Sequence, residues 1–328
     1  MKKQILALCL PLCLISCTQT NKATQMPRPI KVTDSEIKFS SDSAYKYIAE
    51  QTAFGPRVPN THAHSQCLSY LQNKFTTLGA KVTIQEGDGI SFEGKTLPVR
   101  NIIAQYNPEK ANRVILCSHW DSRPFADNDE DSKYHNTPID GANDGASGVG
   151  VLLEIARQLQ QRPTTIGIDI ILFDTEDYGT PSHIKLEKYR PDTWCLGSQF
   201  WGKSELGKNC QARYGILLDM VGAQGAQFFQ ENYSKSTAQN VVNKVWKAAK
   251  EIGYGNYFVD ETGGYITDDH YYVSTLAKVP CIDIIQYDPK TSSGFYKYWH
   301  THNDTAENID KNTLEAVGRT LLYVIYNE

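Results

Sequence analysis

No two cysteines in this 328-residue chain have the CxxC spacing. A zinc site built from cysteine thiolates is therefore not supported. Basic residues are not in excess: 33 Lys and Arg against 37 Asp and Glu leave a net charge of -4. No basic cluster is interleaved with aromatics, so the chain carries no nucleic-acid footprint. Long apolar runs are missing too. The N-terminal one, from Ile5 to Ile15, is too short to span a bilayer. Internal repeats, low-complexity blocks and internal linkers are absent as well. What is present suits a globule, with 40% hydrophobic and 21% charged residues. The length allows one large α/β domain or two small ones, and without a linker one domain is the better reading.

Lys2 and Lys3 precede the short apolar run, which reads as a signal-peptide h-region. Its end, Leu14-Ile15-Ser16-Cys17, resembles a bacterial lipobox. That resemblance implies a signal over residues 1–16, cleavage before Cys17 and lipidation of its thiol. The mature protein would then sit in the bacterial cell envelope, facing the periplasm, with membrane contact through the lipid only. An ordinary signal peptide with a chance cysteine is the plainer alternative. Residues 17–35 are polar and contain proline, and read as a tether. The folded unit is expected over 36–328. Once Cys9, Cys13 and Cys17 are set aside, five of the eight cysteines remain. Cys117 and Cys281 lie in strand-like runs and read as small buried hydrophobes. Export permits disulfides, and Cys195–Cys210 is the one pairing entertained.

Helix-like spacing covers residues 43–52 and 62–78, interrupted by "FGPRVPNT" with its two prolines and glycine. Strand-like runs are "AKVTIQE", "VRNIIAQY", "RVILCSH", "TIGIDIILFD", "ARYGILLDM" and "KVPCIDIIQYD". Between and after them come helical patterns at 148–160, "TAQNVVNKVWKAAKEIG" and "NTLEAVGRTLLYVIYNE". This alternation predicts an α/β fold with a central, mostly parallel twisted sheet flanked by helices. Polar stretches at 120–143 and up to about residue 194 are long enough to suggest functional loops.

The strand ends carry the chemistry. "ILCSHWD" ends in His119 and Asp121, "IILFDTEDYG" in Asp174, Glu176 and Asp177, and "GILLDM" in Asp219. Ligands bind outside the carboxyl ends of strands in open α/β sheets. Acids after strands are also ordinary turn formers and caps, which explains any one of them. It explains poorly a His and several acids on one rim, beside "GANDGASGVG" with Asp144. That glycine-rich stretch lacks GxGxxG and GK[ST], and no strand immediately precedes it, which speaks against a phosphate cradle. His, Asp and Glu without Cys suit zinc, which takes imidazole nitrogen and carboxylate oxygen. Glu176 and Asp177 are adjacent, so one acid can hold metal while the other moves protons. "YWHTHNDTAENID" adds His300 and His302, either of which is a metal candidate or a loop residue on type alone.

"SHWDS", "GANDGASGV", "FDTEDYG", "LLDMVGA", "TDDH" and "YWHTHNDTAENID" together resemble the zinc aminopeptidase-like clan. Within it they look most like the glutaminyl cyclases of animals and bacteria, from about Ser43 to the C-terminus. The resemblance implies one zinc per chain held by Asp144, Asp177 and His300. It implies Glu176 as proton shuttle, with Asp219 and Asp268 in a hydrogen-bonded acid network beside it. Trp299 would wall the substrate pocket, with Trp194, Phe295 and Tyr298 as weaker candidates that rim or core packing also explains. His302 would face elsewhere, and Asp304, Glu307 and Asp310 would cap the last helix. The chain departs from animal cyclases in having Asp177 where they have Glu. It also cannot form their active-site disulfide, since Val149 stands where one partner would be.

The implied substrate is a peptide or protein with N-terminal glutamine, cyclised to pyroglutamate with loss of ammonia. The rival is an exported aminopeptidase with two zincs, in which Asp144 bridges and His119 and Asp219 help bind the second. His119 is expected to pack or hydrogen-bond near Asp219 rather than hold that second ion. A third reading, a catalytically dead binding lipoprotein, is disfavoured because Glu176 and all three zinc ligands are retained.

Overall fold

A computed structural model of the protein describes residues 31–328. The expected signal and the lipidation site at Cys17 lie outside the described residues. Chain order begins with α1 (Ser41–Thr52), α2 (His62–Thr77), β1 (Lys81–Ile90), β2 (Thr96–Tyr106) and β3 (Arg113–His119). Then come α3 (Ala146–Gln161), β4 (Gly167–Phe173), α4 (Leu196–Lys203), α5 (Glu205–Lys208), β5 (Gly215–Asp219) and β6 (Phe228–Gln230). The chain finishes with α6 (Asn232–Glu251), β7 (Phe258–Thr262), α7 (Asp269–Leu276), β8 (Cys281–Ile285) and α8 (Lys311–Tyr326).

Six strands form the main sheet in the order β1-β2-β4-β3-β5-β8. β3, β4, β5 and β8 are buried at every residue, as their mostly apolar sequences suit for strands covered on both faces; the buried Asp169 of β4 is paired with Arg113. The three ladders joining them, β4–β3, β3–β5 and β5–β8, are parallel. β1–β2 and β2–β4 are antiparallel, so the sheet is mixed, and with three parallel ladders of five it is mostly parallel, as expected. Short connections are the reason: those from β1 to β2 and from β2 to β3 are too short for the crossover that parallel strands need, so β2 runs against β1 and against the parallel pair β3 and β4. Gly89–Thr96 in the turn between β1 and β2 reads GxxxxGKT, the spacing of a phosphate-binding loop. It joins two strands with no helix after it, so it has no helix N-terminus to offer an anion.

Two apolar clusters sandwich the sheet. The larger holds Ile48 of α1, Leu71 of α2, Leu152 of α3, Val245 of α6 and Leu321 of α8. The smaller holds Trp201 of α4 and Val273 of α7 against Cys117, Phe173 and Leu217. α4 and α7 were not anticipated, because eight residues leave little periodicity to detect. Residues 32–328 form one compact unit. The Val32 amide donates to Asn327 Oδ1 at 2.8 Å, and Arg319 bonds Asp34, which ties this segment to α8. Cys195 and Cys210 do not pair; both are free thiols. Cys195 stands at the start of α4 with its thiol beside Glu176, and Cys210 follows α5. No helix among the described residues is long and apolar enough to cross a membrane.

Candidate metal centre and active site

The C-terminal ends of β3, β4 and β5 and the N-terminal end of α3 meet on one rim. β3 ends in His119, β5 ends in Asp219, and Glu176 and Asp177 follow β4 within a turn. Asp144 stands just before α3, where Gly145 has φ 92°. A Cβ at Gly145 would come within 2.6 Å of the Asp121 carbonyl, so only glycine lets this loop lie against β3. The rim is bent into place by left-handed residues. Thr175, Met220 and His300 have φ of 56°, 48° and 54° and adjoin or belong to the site. Such non-glycine conformations cost about 1–3 kcal/mol each and persist where the surroundings dictate them.

Asp144, Asp177 and His300 converge. His300 Nε2 lies 3.2 Å from Asp177 Oδ1 and 3.6 Å from Asp144 Oδ2. All three residues are buried, and Asp177 Oδ2 has no hydrogen-bond partner. Donor atoms of the three lie within 4.8 Å of one another. One nitrogen and two oxygens around an unsatisfied carboxylate are what a zinc ion with an open fourth position requires. Behind the ligands, His300 Nδ1 lies 3.3 Å from Asp127 Oδ1, an arrangement that orients a ligating imidazole.

Sequence reasoning missed Arg123 and Asp127, and gave Asp121 and Asp304 no part in supporting this set. Arg123 is wholly buried and bonds Asp127 through two nitrogens at 2.7 and 2.9 Å. Its third nitrogen donates to the Asp177 carbonyl at 2.9 Å and to Asp177 Oδ1 at 3.3 Å. Burial works against the charge of Asp127, yet Arg123 and His300 hold its pKa far below the carboxylate range. Asp121 accepts from the amides of Glu176 at 3.0 Å and Asp177 at 3.2 Å, fixing the turn that presents both acids. Asp304 does not cap the last helix. It accepts from the amides of Asn143 and Asp144 at 2.8 and 3.0 Å and so anchors the Asp144 loop. Asp310 does cap α8, while Glu307 lies exposed in a short turn before it. His302 turns away, stacks on Tyr134 and pairs with Asp129.

His119 completes a second donor set. Its Nε2 lies 3.1 Å from Asp144 Oδ1 and 3.2 Å from Asp219 Oδ1. Burial opposes protonation of His119, but Asp121, Asp144 and Asp219 raise its pKa well above the usual value. Burial and then the charges of Asp144 and Asp268 lift Asp219 to about 7, despite a bond from His119. Glu176 is raised well above its ordinary value, by burial first and by Asp268 second. Asp268 caps α7, and an oxygen of it approaches Glu176 and Cys195 within 4.8 Å.

Asp144, Glu176, Asp177, Asp219, Asp268 and His300 line one cavity of about 90 Å³ with Trp194, Phe295 and Trp299. Trp299 stacks on His300 at 3.9 Å between ring centres, and Phe295 packs on Trp299 at 4.8 Å. Trp194 lies nearly parallel to His300, with Arg123 against its other neighbourhood at 4.6 Å. Tyr298 points instead into a separate hollow of about 720 Å³ that includes His302 and Asp129. That hollow holds none of the metal-type donor groups found among the described residues. The site thus pairs a polar floor, with metal donors and the half-buried Glu176, with aromatic walls.

Residues 101–325 match peptidase family M28. The chain belongs to that family. Among solved M28-like structures it is 56% identical to Tannerella forsythia glutaminyl cyclase. The TM-score is 0.87, over 89% of this chain and 100% of that one. It is 54% identical to a Zn-dependent exopeptidase from Parabacteroides distasonis, again with a TM-score of 0.87, over 89% and 99% of the two chains. Against the glutaminyl-peptide cyclotransferase of Bos taurus it is 25% identical over 257 residues, 67% of this chain and 64% of that one. The chain spans between 36% and 64% of the length of the first curated relatives it matches. M28 relatives imply zinc, and the Asp144, Asp177 and His300 donors fit it.

Proposed function

We propose that this protein is a glutaminyl-peptide cyclotransferase that converts N-terminal glutamine of peptides or proteins to pyroglutamate. The observation that carries this reading is the 56% identity to the Tannerella forsythia glutaminyl cyclase across nearly the whole of that enzyme. In the reaction the α-amine of the substrate attacks its own γ-carboxamide carbon. A carbon–nitrogen bond forms within the ring, the amide carbon–nitrogen bond breaks, and ammonia leaves. Asp144, Asp177 and His300 would hold one zinc, which when bound supplies a Lewis acid for the amide oxygen. Glu176 takes the proton from the attacking amine and returns it to the departing nitrogen. Its raised pKa suits a group that must do both. Asp268 lies beside it, and its charge keeps that carboxyl from ionising too readily, while Asp219 lines the same cavity. Trp299, Trp194 and Phe295 exclude water and hold the bent substrate in a reactive conformer.

One observation favours a second reading. His119, Asp144 and Asp219 also converge within reach of a metal, as a two-zinc aminopeptidase needs. Cyclisation uses no water nucleophile for a second ion to generate, so we assign one zinc per chain. The deciding experiment is incubation with a Gln-initiated peptide followed by mass spectrometry and metal analysis. Loss of the mass of ammonia, with one zinc per chain, is expected. Release of a residue, with activity that tracks a second zinc, would transfer the assignment to the aminopeptidase. We also assign the protein to the bacterial cell envelope, held by a lipid on Cys17; the Leu14-Ile15-Ser16-Cys17 motif supports this.

A further inference from the structure

Cys195 is buried, yet it is not placed as a packing residue. It occupies the N-cap position of α4, where Ser, Thr, Asp or Asn would normally bond the first free amides. Its side chain caps nothing. Instead the thiol sulfur lies 3.1 Å from Glu176 Oε1. In this contact the S–H donates and the carboxyl oxygen accepts.

The backbone holds this contact in register. The Cys195 amide donates to the Glu176 carbonyl at 2.8 Å, and the Leu196 amide donates to the Thr175 carbonyl at 3.1 Å. Cys195 itself is left-handed, with φ 54° and ψ 37°. The first turn of α4 cannot slide. A Cβ at Gly197 would meet the Asp174 carbonyl at 2.3 Å and Asn101 Oδ1 at 2.6 Å, so that turn lies hard against the end of β4. The carbonyl of Cys195 accepts from the Ser198 hydroxyl at 3.1 Å and from the Gln199 amide at 3.0 Å. The sulfur therefore stands at a fixed distance from a carboxylate that lines the cavity.

We propose that Cys195 is a positioning residue for Glu176, its thiol holding Oε1 so that the carboxylate keeps the orientation proton transfer needs. The inference rests on Glu176 being the proton shuttle of the cyclisation. Cys195 touches neither substrate nor zinc in this role. It limits the rotation of a flexible side chain whose other oxygen does the chemistry. A residue acting only by volume would tolerate loss of its donor, whereas a positioning donor would not.

The test compares Cys195→Ala, Cys195→Ser and wild type by steady-state kinetics on a Gln-initiated peptide, with zinc content and thermal melting on the same preparations. Serine keeps a donor at this position, and alanine removes it. A lost hydrogen bond to a charged group corresponds to roughly a 10- to 100-fold fall in rate. Cys195→Ala should lower kcat by about that factor, leave KM and zinc content unchanged, and be rescued in large part by Cys195→Ser. Alanine as active as wild type would overturn the inference. So would serine no better than alanine, including the case where both melt early or lose zinc. A wild-type enzyme that does not cyclise the peptide would overturn the shuttle reading beneath it, and the inference with it.

Discussion

Glu176 sits where a single proton can be worth several orders of magnitude in rate. Burial, then the charge of Asp268, raises its pKa well above the ordinary carboxyl value. Its own amide is tied to Asp121, and its Oε1 to Cys195. Glu176→Gln keeps the shape but cannot take the amine proton. Turnover should fall by about 10²–10⁴-fold, while zinc content and substrate binding hold, since the lost interaction belongs to the transition state. Kinetics and metal analysis on one preparation check this, and near wild-type turnover would remove Glu176 from the mechanism. Asp177 illustrates the neighbouring constraint. It is a shorter acid than the glutamate of animal cyclases, and it is held from behind by Arg123, which bonds both its carbonyl and its carboxylate.

Elements bring these residues to one rim, and their ends depend on caps. Glu231 caps α6, accepting from the amides of Tyr233 at 2.8 Å and Ser234 at 2.6 Å. It also accepts from the Ile266 amide at 3.1 Å and faces His270 Nε2 at 3.2 Å. Through Ile266 the same carboxylate steadies the loop before Asp268, whose residues line the cavity. Burial would raise its pKa, but His270 and Ser234 hold it at about 2, against an ordinary 4.5. A carboxylate lowered on folding adds stability fully above its unfolded value and loses it as pH falls through its folded one. The advantage of wild type over Glu231→Gln should therefore be full at neutral pH and shrink between about pH 4.5 and 2. At neutral pH we expect it to be about 1–3 kcal/mol, as for a charged cap with several donors. Urea unfolding of both proteins across that window measures it, and a gap that does not change with pH would remove this role.

As a whole, residues 32–328 are built around two apolar clusters that do not depend on a metal. A chelator should therefore abolish cyclisation while leaving the cooperative melt largely in place, and added zinc should restore activity. Collapse of the fold on chelation would make the metal structural. The N-terminal motif leads to a separate expectation. Cys17→Ala should release the exported protein from the membrane fraction, as measured by fractionation and immunoblotting. Wild type found wholly outside that fraction would end the lipid-anchor proposal.

By itself the sequence determined the alternation of strands and helices, because short runs such as "TIGIDIILFD", rich in Ile and Leu and interrupted only by Asp169, fit strands of a sheet covered on both faces. It also raised Asp144, Glu176, Asp177, Asp219 and His300 as candidates, and the family resemblance added Asp268 and Trp299; all seven line one cavity. Only the tertiary structure decided the rest. Asp304 reads locally as a helix cap, yet it serves two amides 160 residues or more away in the chain. Arg123 reads as an ordinary loop cation, yet it is buried beneath Asp127 and Asp177. Cys195 looked free to pair with Cys210, until α4 turned its thiol onto Glu176. Local pattern reports the conformational preferences of a few residues at a time. Which distant groups share a desolvated site is decided by packing, where an unpaired charge costs several kcal/mol and therefore selects its partners.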